Sequence, residues 1–320
     1  MASTTETLAG PERAEERRNS PAAGPAAPAA DRPPRLVLPE RRPRQRAARA
    51  SLAVVSVLAL TIAGNATVIG GLQHRSAQVR ELAVLRERLA AGTAPIGEAD
   101  AAGKAVRLGA PVALLRIPSA GVREVVLQGT TSGVLMSGPG HRRGTPFPGQ
   151  AGTSVVFGRR AAYGGPFAGL ASLRAGAKIT FTTGQGVSTY RVTGVRRAGD
   201  PAPLAPAAGE GRLQLLTAAG SPFVPSGVVR VDADLVGPAF ARTPVAAGAL
   251  PAAERPLGTD PSTAWALVLW LQALVALAIG ATWSWIRWGR HPTWIVFLPP
   301  VVLVALAATG QFVRLLPNVL

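Results

Sequence analysis

The sequence predicts an all-β domain that is exported and held to a membrane by apolar helices. Three observations predict this class. Residues 111–236 divide into short β-rich runs separated by Gly and Pro, three uncharged runs elsewhere are long enough to cross a bilayer, and arginines flank those runs. The 320 residues include no cysteine, which excludes disulfides, thiolate metal sites and cysteine nucleophiles. The three histidines, His74, His141 and His291, show no ligand spacing, so we expect neither a metal nor a cofactor.

Residues 1–50 form a tail, and residues 51–72 form the first apolar span. The tail is rich in Ala, Pro, Glu and Arg without apolar periodicity, so we expect it to be disordered. The span follows RPPRLVLPERRPRQRAAR, which has seven arginines and one glutamate. The positive-inside rule therefore keeps the N-terminus in the cytoplasm. The length of the apolar run favours an uncleaved anchor over a cleaved signal peptide.

Two more apolar spans follow the domain, at residues 263–286 and 293–313. The link between them, RWGRHP, has two arginines and is expected in the cytoplasm by the same rule. Four tryptophans surround the link, as at a membrane interface: Trp283, Trp285, Trp288 and Trp294. The three spans together predict a multi-pass protein of the plasma membrane, with residues 73–262 and the C-terminus outside the cell.

Two segments connect the spans to the domain, residues 73–110 and residues 237–262. Within the first, Val79, Leu82, Leu85 and Leu89 recur at helical spacing with charges between them. This pattern predicts a solvated stalk helix over residues 75–91, with a short self-association helix as the alternative. The second segment has five prolines and is predicted to be a linker.

The domain at residues 111–236 is predicted to be a closed or nearly closed β-barrel. KITFTTGQGVSTYRVTGV indicates a hairpin with its turn at residues 184–186, and GPFAGLASL (165–173) indicates a short helix. Seven runs are predicted as strands: VALLRIP, REVVLQG, TSVVFG, KITFTTG, STYRVTGV, RLQLLT and SGVVRVDADLV.

Four segments, in order, carry a resemblance to a known family. They are LRIPSAGVREVVLQGT, SGPGHRRGTPFPGQAGTSVVFGRRAAYGGPFAGLASLRAGAKITF, YRVTGV and RLQLLTAAG. Together they resemble the sortases, the cell-wall transpeptidases of Gram-positive bacteria, and among them the class E sortases of actinobacteria. The resemblance covers roughly residues 112–236. It implies an eight-stranded sortase β-barrel that is exported and tethered to the membrane.

The resemblance also implies that the catalytic residues are missing. The histidine that follows the glycine of the sortase GHR motif corresponds to Arg159, and the cysteine that ends TLTTC corresponds to Ala218. The arginine near the start of the last strand corresponds to Gly227 or Val228, with Arg230 two or three residues further on. Transpeptidation of this type needs a thiolate, an imidazole and an oxyanion donor. A methyl group and a permanently protonated guanidinium supply neither of the first two.

We therefore expect a catalytically inactive binding, scaffold or regulatory module at the cell envelope. The alternative is a divergent hydrolase or transpeptidase with a serine nucleophile, Ser221 or Ser226. Its base would have to be His141, the one imidazole in the domain, to which we assign a structural role in a turn instead. A third interpretation makes the membrane helices the functional unit and the barrel their exported cap.

Basic residues border the segments that correspond to the sortase cleft. Residues 73–260 have 21 Lys and Arg against 11 Asp and Glu. One interpretation is an ordinary basic surface; the other is a site for membrane lipids, anionic wall polymers, a sorting-signal-like peptide or an envelope protein. Nucleic acid is not expected for an exported domain without aromatic stacking residues. The candidate ligand-binding residues are Arg142, Arg143, Arg159 and Arg160.

Overall fold

A computed structural model of the chain describes residues 64–99, 104–221, 224–244 and 249–319. The predicted tail and most of the first predicted span lie outside these residues. Eight strands close a barrel in the order β1-β2-β3-β4-β7-β8-β6-β5, which confirms the predicted barrel. The strands are β1 (Pro111–Ile117), β2 (Val122–Gln128), β3 (Gly140–His141), β4 (Gly152–Phe157), β5 (Lys178–Thr183), β6 (Gly186–Arg196), β7 (Gly211–Ser221) and β8 (Val224–Val236).

Alternating side chains fill the barrel interior. In β5, for example, Ile179 and Phe181 are fully buried, whereas Lys178 at the start of the strand is exposed to solvent. Most neighbours are antiparallel, but β4 and β7 run parallel, with Phe157 opposite Leu216. This parallel pair matters for the site, because it brings the ends of two distant sequence segments to the same edge of the barrel.

Three short elements differ from the predictions. The two-residue strand β3 was not predicted, since a pair that begins with glycine carries no periodic signal. The predicted helix at residues 165–173 is reduced to one 3-10 turn, Leu170–Ser172. A helix that was not predicted, α2 (Ser132–Ser137), begins after Thr131, whose hydroxyl accepts a hydrogen bond from the Val134 N–H.

A long helix, α1 (Gly70–Ala90), precedes the barrel and continues a π-helical turn at Asn65–Ile69. It does not stand in solvent as a stalk, nor is its apolar face free for self-association. Leu85 is 1% exposed and packs with Leu114, Val125 and Leu127 on the outside of β1 and β2. The helical spacing was correctly interpreted, but its apolar face is covered by the barrel of the same chain.

Two helices follow the barrel, α3 (Ala264–Trp288) and α4 (Arg290–Arg314). Each is long and apolar enough to cross a membrane, with mean hydropathy of 2.1 and 2.0. They form a hairpin in which the Asp260 N–H, before α3, donates to the carbonyl oxygen of Arg314 at the end of α4. This end of the hairpin faces the barrel, since Val313 packs with Ala162 and Tyr163 after β4. Near the same end, Asn65 donates a hydrogen bond to the Thr309 hydroxyl of α4.

Candidate functional site

The position expected for a sortase nucleophile lies in an apolar cluster. Ala218 on β7 pairs directly with Val228 on β8, and both side chains are buried. The parallel neighbour β4 adds Val155 and Phe157 from the other side. The cluster also includes Leu135, Leu216 and, from the opposite end of the chain, Val319. The surroundings of Ala218 are therefore closed and apolar.

Residues 315–319, which we call the C-terminal segment, cover the apolar cluster around Ala218. After α4 the segment turns back onto the barrel, and Val319 and Asn318 are completely buried. The Arg160 N–H donates to the carbonyl oxygen of Val319 at 3.2 Å. The Asn318 amide donates to the carbonyl oxygens of Thr130 (2.9 Å) and Arg255 (2.8 Å). These contacts attach the end of the chain to the edge where β4 and β7 end.

Arg159, which the resemblance aligns with the sortase histidine, is buried as well. Gly158 precedes it at the end of β4, where a Cβ atom would collide with the ring of Phe167. The Arg159 Nη2 donates to the Ser132 hydroxyl at 2.7 Å, and the guanidinium carbon lies 5.3 Å from the centre of the Tyr163 ring. The Arg159 Nε and Nη1 atoms have no hydrogen-bond partner in the part of the chain that the structure describes.

Burial lowers the pKa of Arg159 to about 10, so it remains protonated at neutral pH and cannot act as a base. Arg159 was a candidate ligand-binding residue, but its side chain is completely buried and contacts Ser132 and Tyr163, so it is not accessible to a ligand. Arg160 stays half-exposed and donates from Nη1 to the carbonyl oxygen of Ala218 at 3.1 Å.

The other two candidate arginines lie in the turn after β3. Arg143 forms a two-point ion pair with the buried carboxylate of Glu254, its Nε 3.0 Å from Oε2. Hydrogen bonding to Glu254 raises the pKa of Arg143. Arg142 is half-exposed. Of the four candidates, one is thus interior, one is paired, and Arg142 and Arg160 retain exposure and lack an ion pair among the described residues.

His141, the candidate base for a serine nucleophile, is fully buried in β3. Its Nδ1 lies 3.1 Å from Gln128 Oε1 and its Nε2 lies 3.0 Å from the carbonyl oxygen of Pro146. Burial lowers its pKa to about 4, so the ring is neutral at physiological pH. A neutral ring has one N–H, which donates to Pro146; the Gln128 amide then donates to Nδ1 when its oxygen and nitrogen are exchanged. Both nitrogens are engaged, while Ser221 and Ser226 are exposed on the β7–β8 hairpin.

Sequence reasoning missed two parts of this site: Glu254, and the C-terminal segment with its buried residue Asn318. Glu254 lies in the predicted proline-rich linker, and Asn318 follows a predicted membrane span. Glu254 is one of two acids in a linker otherwise rich in Pro, Ala and Gly, and this was the one available signal. Among the described residues, no group of three or more His, Asp or Glu side chains has a spacing that would hold a metal ion.

Comparisons with known proteins agree on the family. A family model described as "Sortase domain" matches residues 115–224. Sortase E from Streptomyces avermitilis is 30% identical over 42% of this chain and 93% of its own, with a TM-score of 0.35. A Clostridium perfringens sortase D5 transpeptidase is 22% identical over 51% and 99%, with a TM-score of 0.43. Sortase E1 from Streptomyces coelicolor, solved with a tripeptide in the active site, is 19% identical over 41% and 91%, with a TM-score of 0.36.

A search of curated protein sequences found none that matches the chain. The matched family domain and the identity to the Streptomyces avermitilis enzyme over nearly all of its length confirm the resemblance. Through its barrel, this chain belongs to the sortase family.

Proposed function

We propose that this chain is a catalytically inactive sortase-family protein that acts as a binding, scaffold or regulatory module at the cell envelope. In this proposal α3 and α4 cross the plasma membrane, the N-terminus is cytoplasmic and the barrel is outside the cell. One observation carries it: the nucleophile position is Ala218, and the chain's own C-terminal segment lies over the cluster that contains it.

The chemistry of the neighbouring groups supports the loss of activity. Arg159 stands in place of an imidazole and is protonated at any physiological pH. His141 is neutral, buried and engaged through both ring nitrogens, so within the described residues of the barrel domain a serine on the β7–β8 hairpin has no free imidazole to activate it. These groups favour the inactive protein over the alternative of a serine hydrolase or transpeptidase.

The partner would then be bound outside the closed cluster. Arg142 and Arg160 are better suited than Arg143 and Arg159 to reach an anionic wall polymer, a sorting-signal-like peptide or an acidic envelope protein. They are half-exposed, and no carboxylate lies within ion-pair distance of either among the described residues. A double Arg142→Gln and Arg160→Gln variant tests this choice by the binding of wall fragments at two salt concentrations.

Activity is tested on the full-length protein in detergent, with a fluorogenic sorting-signal peptide and an amine acceptor. We expect no cleavage above background, whereas sortase E from Streptomyces avermitilis serves as the positive control in the same assay. Turnover that is lost in Ser221→Ala or Ser226→Ala would contradict the proposal and establish the serine enzyme.

A restoration variant provides a sharper form of the test. Arg159→His with Ala218→Cys returns two catalytic residue types, but the C-terminal segment still covers residue 218. We expect this double variant to remain inactive with the segment present. Any turnover should first be detected after residues 315–320 are deleted, because deletion removes Val319 from the cluster.

A further inference from the structure

A polar pocket lies between α1, α2 and the end of α4, away from Ala218. Its volume is about 340 Å³, within the range of small-ligand sites. One face of α1 lines it with Gln73, Ser76, Ala77 and Arg80, which follow helical spacing. Arg314 lines it from the last turn of α4, and Tyr163 and Ser137 from the barrel side.

The side chains of two arginines make the pocket positively charged. Arg80 and Arg314 have no carboxylate within ion-pair distance among the described residues; the ion pairs of that part of the chain lie elsewhere. Next to Tyr163 lies Arg159, which is completely buried and has two nitrogen atoms without a hydrogen-bond partner among the described residues. The charges of Arg159 and Arg314 both act on the Tyr163 hydroxyl. Two guanidiniums therefore act on Tyr163, and a third, that of Arg80, lines the same pocket.

The end of α4 also relates the pocket to the surface of the proposed membrane. Arg314 is the last residue of the 24-residue apolar stretch of α4, and Asn65, just before α1, contacts Thr309 one turn earlier. If α4 crosses the membrane, its final residue lies at the level of the lipid headgroups. Guanidiniums at this level bind phosphate through paired, charge-assisted hydrogen bonds.

We propose that this pocket binds a phosphate-bearing anion, with Arg80 and Arg314 as the phosphate ligands. Gln73, Ser76, Ser137 and the Tyr163 hydroxyl supply neutral hydrogen bonds to the hydroxyl groups next to the phosphate. The depth of the pocket favours the headgroup of an anionic phospholipid as the source. That choice of source rests on the membrane crossing of α4 proposed above, whereas the recognition of phosphate does not.

The experiment measures lipid binding to the full-length protein in detergent by native mass spectrometry. Phosphatidylglycerol is compared with phosphatidylcholine of the same acyl chains, whose ammonium group the arginines disfavour. We expect the parent protein to retain phosphatidylglycerol at least roughly tenfold more strongly. Arg80→Gln with Arg314→Gln should abolish this preference, and so should Ser76→Glu, which introduces a carboxylate at an exposed position of the pocket.

The control is Arg75→Gln with Arg86→Gln, which removes the same charge from exposed positions of α1 outside the pocket. It should bind like the parent. Equal losses in control and pocket variants, or no loss in the pocket variants, would overturn the proposal. The second arm adds inorganic phosphate or glycerol 3-phosphate and follows thermal unfolding. If these soluble anions stabilise the protein and Arg80→Gln abolishes the effect, the source is free phosphate. If they do not stabilise it while the protein still retains phosphatidylglycerol, the source is the lipid.

Neither arm depends on catalysis. A sortase-like activity found in this protein would contradict the proposed function and leave the phosphate site standing. Loss of the site would likewise leave the inactive barrel unaffected.

Discussion

Arg159 brings a positive charge into the interior with the Ser132 hydroxyl and carbonyl oxygen as its hydrogen-bond acceptors. A buried charge without a carboxylate partner is costly, and contact with the face of Tyr163 offsets part of that cost. Its guanidinium therefore keeps a positive charge in the interior, next to Tyr163.

The closure of the cluster at residue 218 is testable with a single cysteine, because the chain has none of its own. We expect the thiol of Ala218→Cys to react with iodoacetamide at least roughly tenfold more slowly than that of Ser221→Cys, which is exposed on the same strand. Deletion of residues 315–320 should remove most of the difference. Equal rates in the undeleted proteins would show that the C-terminal segment does not cover residue 218.

The burial of His141 predicts a pH-dependent stability. Its pKa falls from 6.5 to about 4 on folding, so the unfolded chain binds the proton more readily. Stability present above about pH 6.5 is therefore lost as the pH falls toward 4. We expect the free energy of unfolding to decrease by about 2 kcal/mol from pH 7 to pH 5, measured by urea denaturation and circular dichroism. The variant His141→Gln should lose most of this dependence; an unchanged dependence would assign it to other groups.

Among the elements, α1 shows how an amphipathic pattern can be interpreted correctly and assigned to the wrong partner. Its apolar side chains recur at helical spacing, as predicted, but they cover the outer face of β1 and β2. Polar contacts fix the same face: the Gln78 Oε1 accepts from the Val125 N–H at 2.6 Å, and His74 Nε2 lies 3.0 Å from the Glu124 carboxylate. The helix is thus part of the folded domain.

Leu85 is the residue whose truncation tests this packing. Leu85→Ala should destabilise the protein by about 2–4 kcal/mol, because it leaves a cavity between α1 and the barrel. Val79→Ala removes apolar atoms from the exposed side of the same helix, where the side chain is 70% exposed, and should change stability little. Chemical denaturation of both variants measures the difference. Similar values for the two would mean that α1 does not hold to the barrel through this face.

For the whole molecule, the barrel and the helical hairpin α3–α4 are joined at one end. Residues around Asp260 and Arg314 connect them, and the C-terminal segment continues from α4 into the barrel cluster. The apolar helices otherwise expose large side chains such as Trp265 and Ile295. In this hairpin the beginning of α3 and the end of α4 both lie on the side of the barrel, and the link RWGRHP lies at the opposite end.

The charges around the spans predict how this molecule is oriented. Reporter fusions after residues 40, 150 and 290 should read cytoplasmic, extracytoplasmic and cytoplasmic, because arginines precede the first span and lie in the link between the last two. Paired reporters that are active on opposite sides of the membrane provide the measurement and its internal control. A cytoplasmic result for the fusion at residue 150 would contradict both the topology and a function at the cell envelope.

Local sequence determined much of this protein. Seven of the eight strands were predictable, since β-branched and aromatic residues alternate between Gly and Pro turns, and the two C-terminal helices follow from long uncharged runs. The absence of a cysteine is also a property of the sequence alone, and so is the presence of Arg159 and Ala218 at the positions that the resemblance aligns with the sortase histidine and cysteine. Each of these features can be read from the sequence without knowledge of the fold.

The tertiary structure decided which of those residues face solvent. Arg159 was a candidate ligand-binding residue at the end of a strand, and only the tertiary structure shows that it is buried, in contact with Ser132 and Tyr163. Asn318 donates to the carbonyl of Thr130 across 188 positions of sequence, and no local pattern announces such a contact. Burial depends on segments that meet through the fold, so the closed cluster at Ala218 and the pocket at Arg80 and Arg314 exist only once α4 has returned the end of the chain to the barrel.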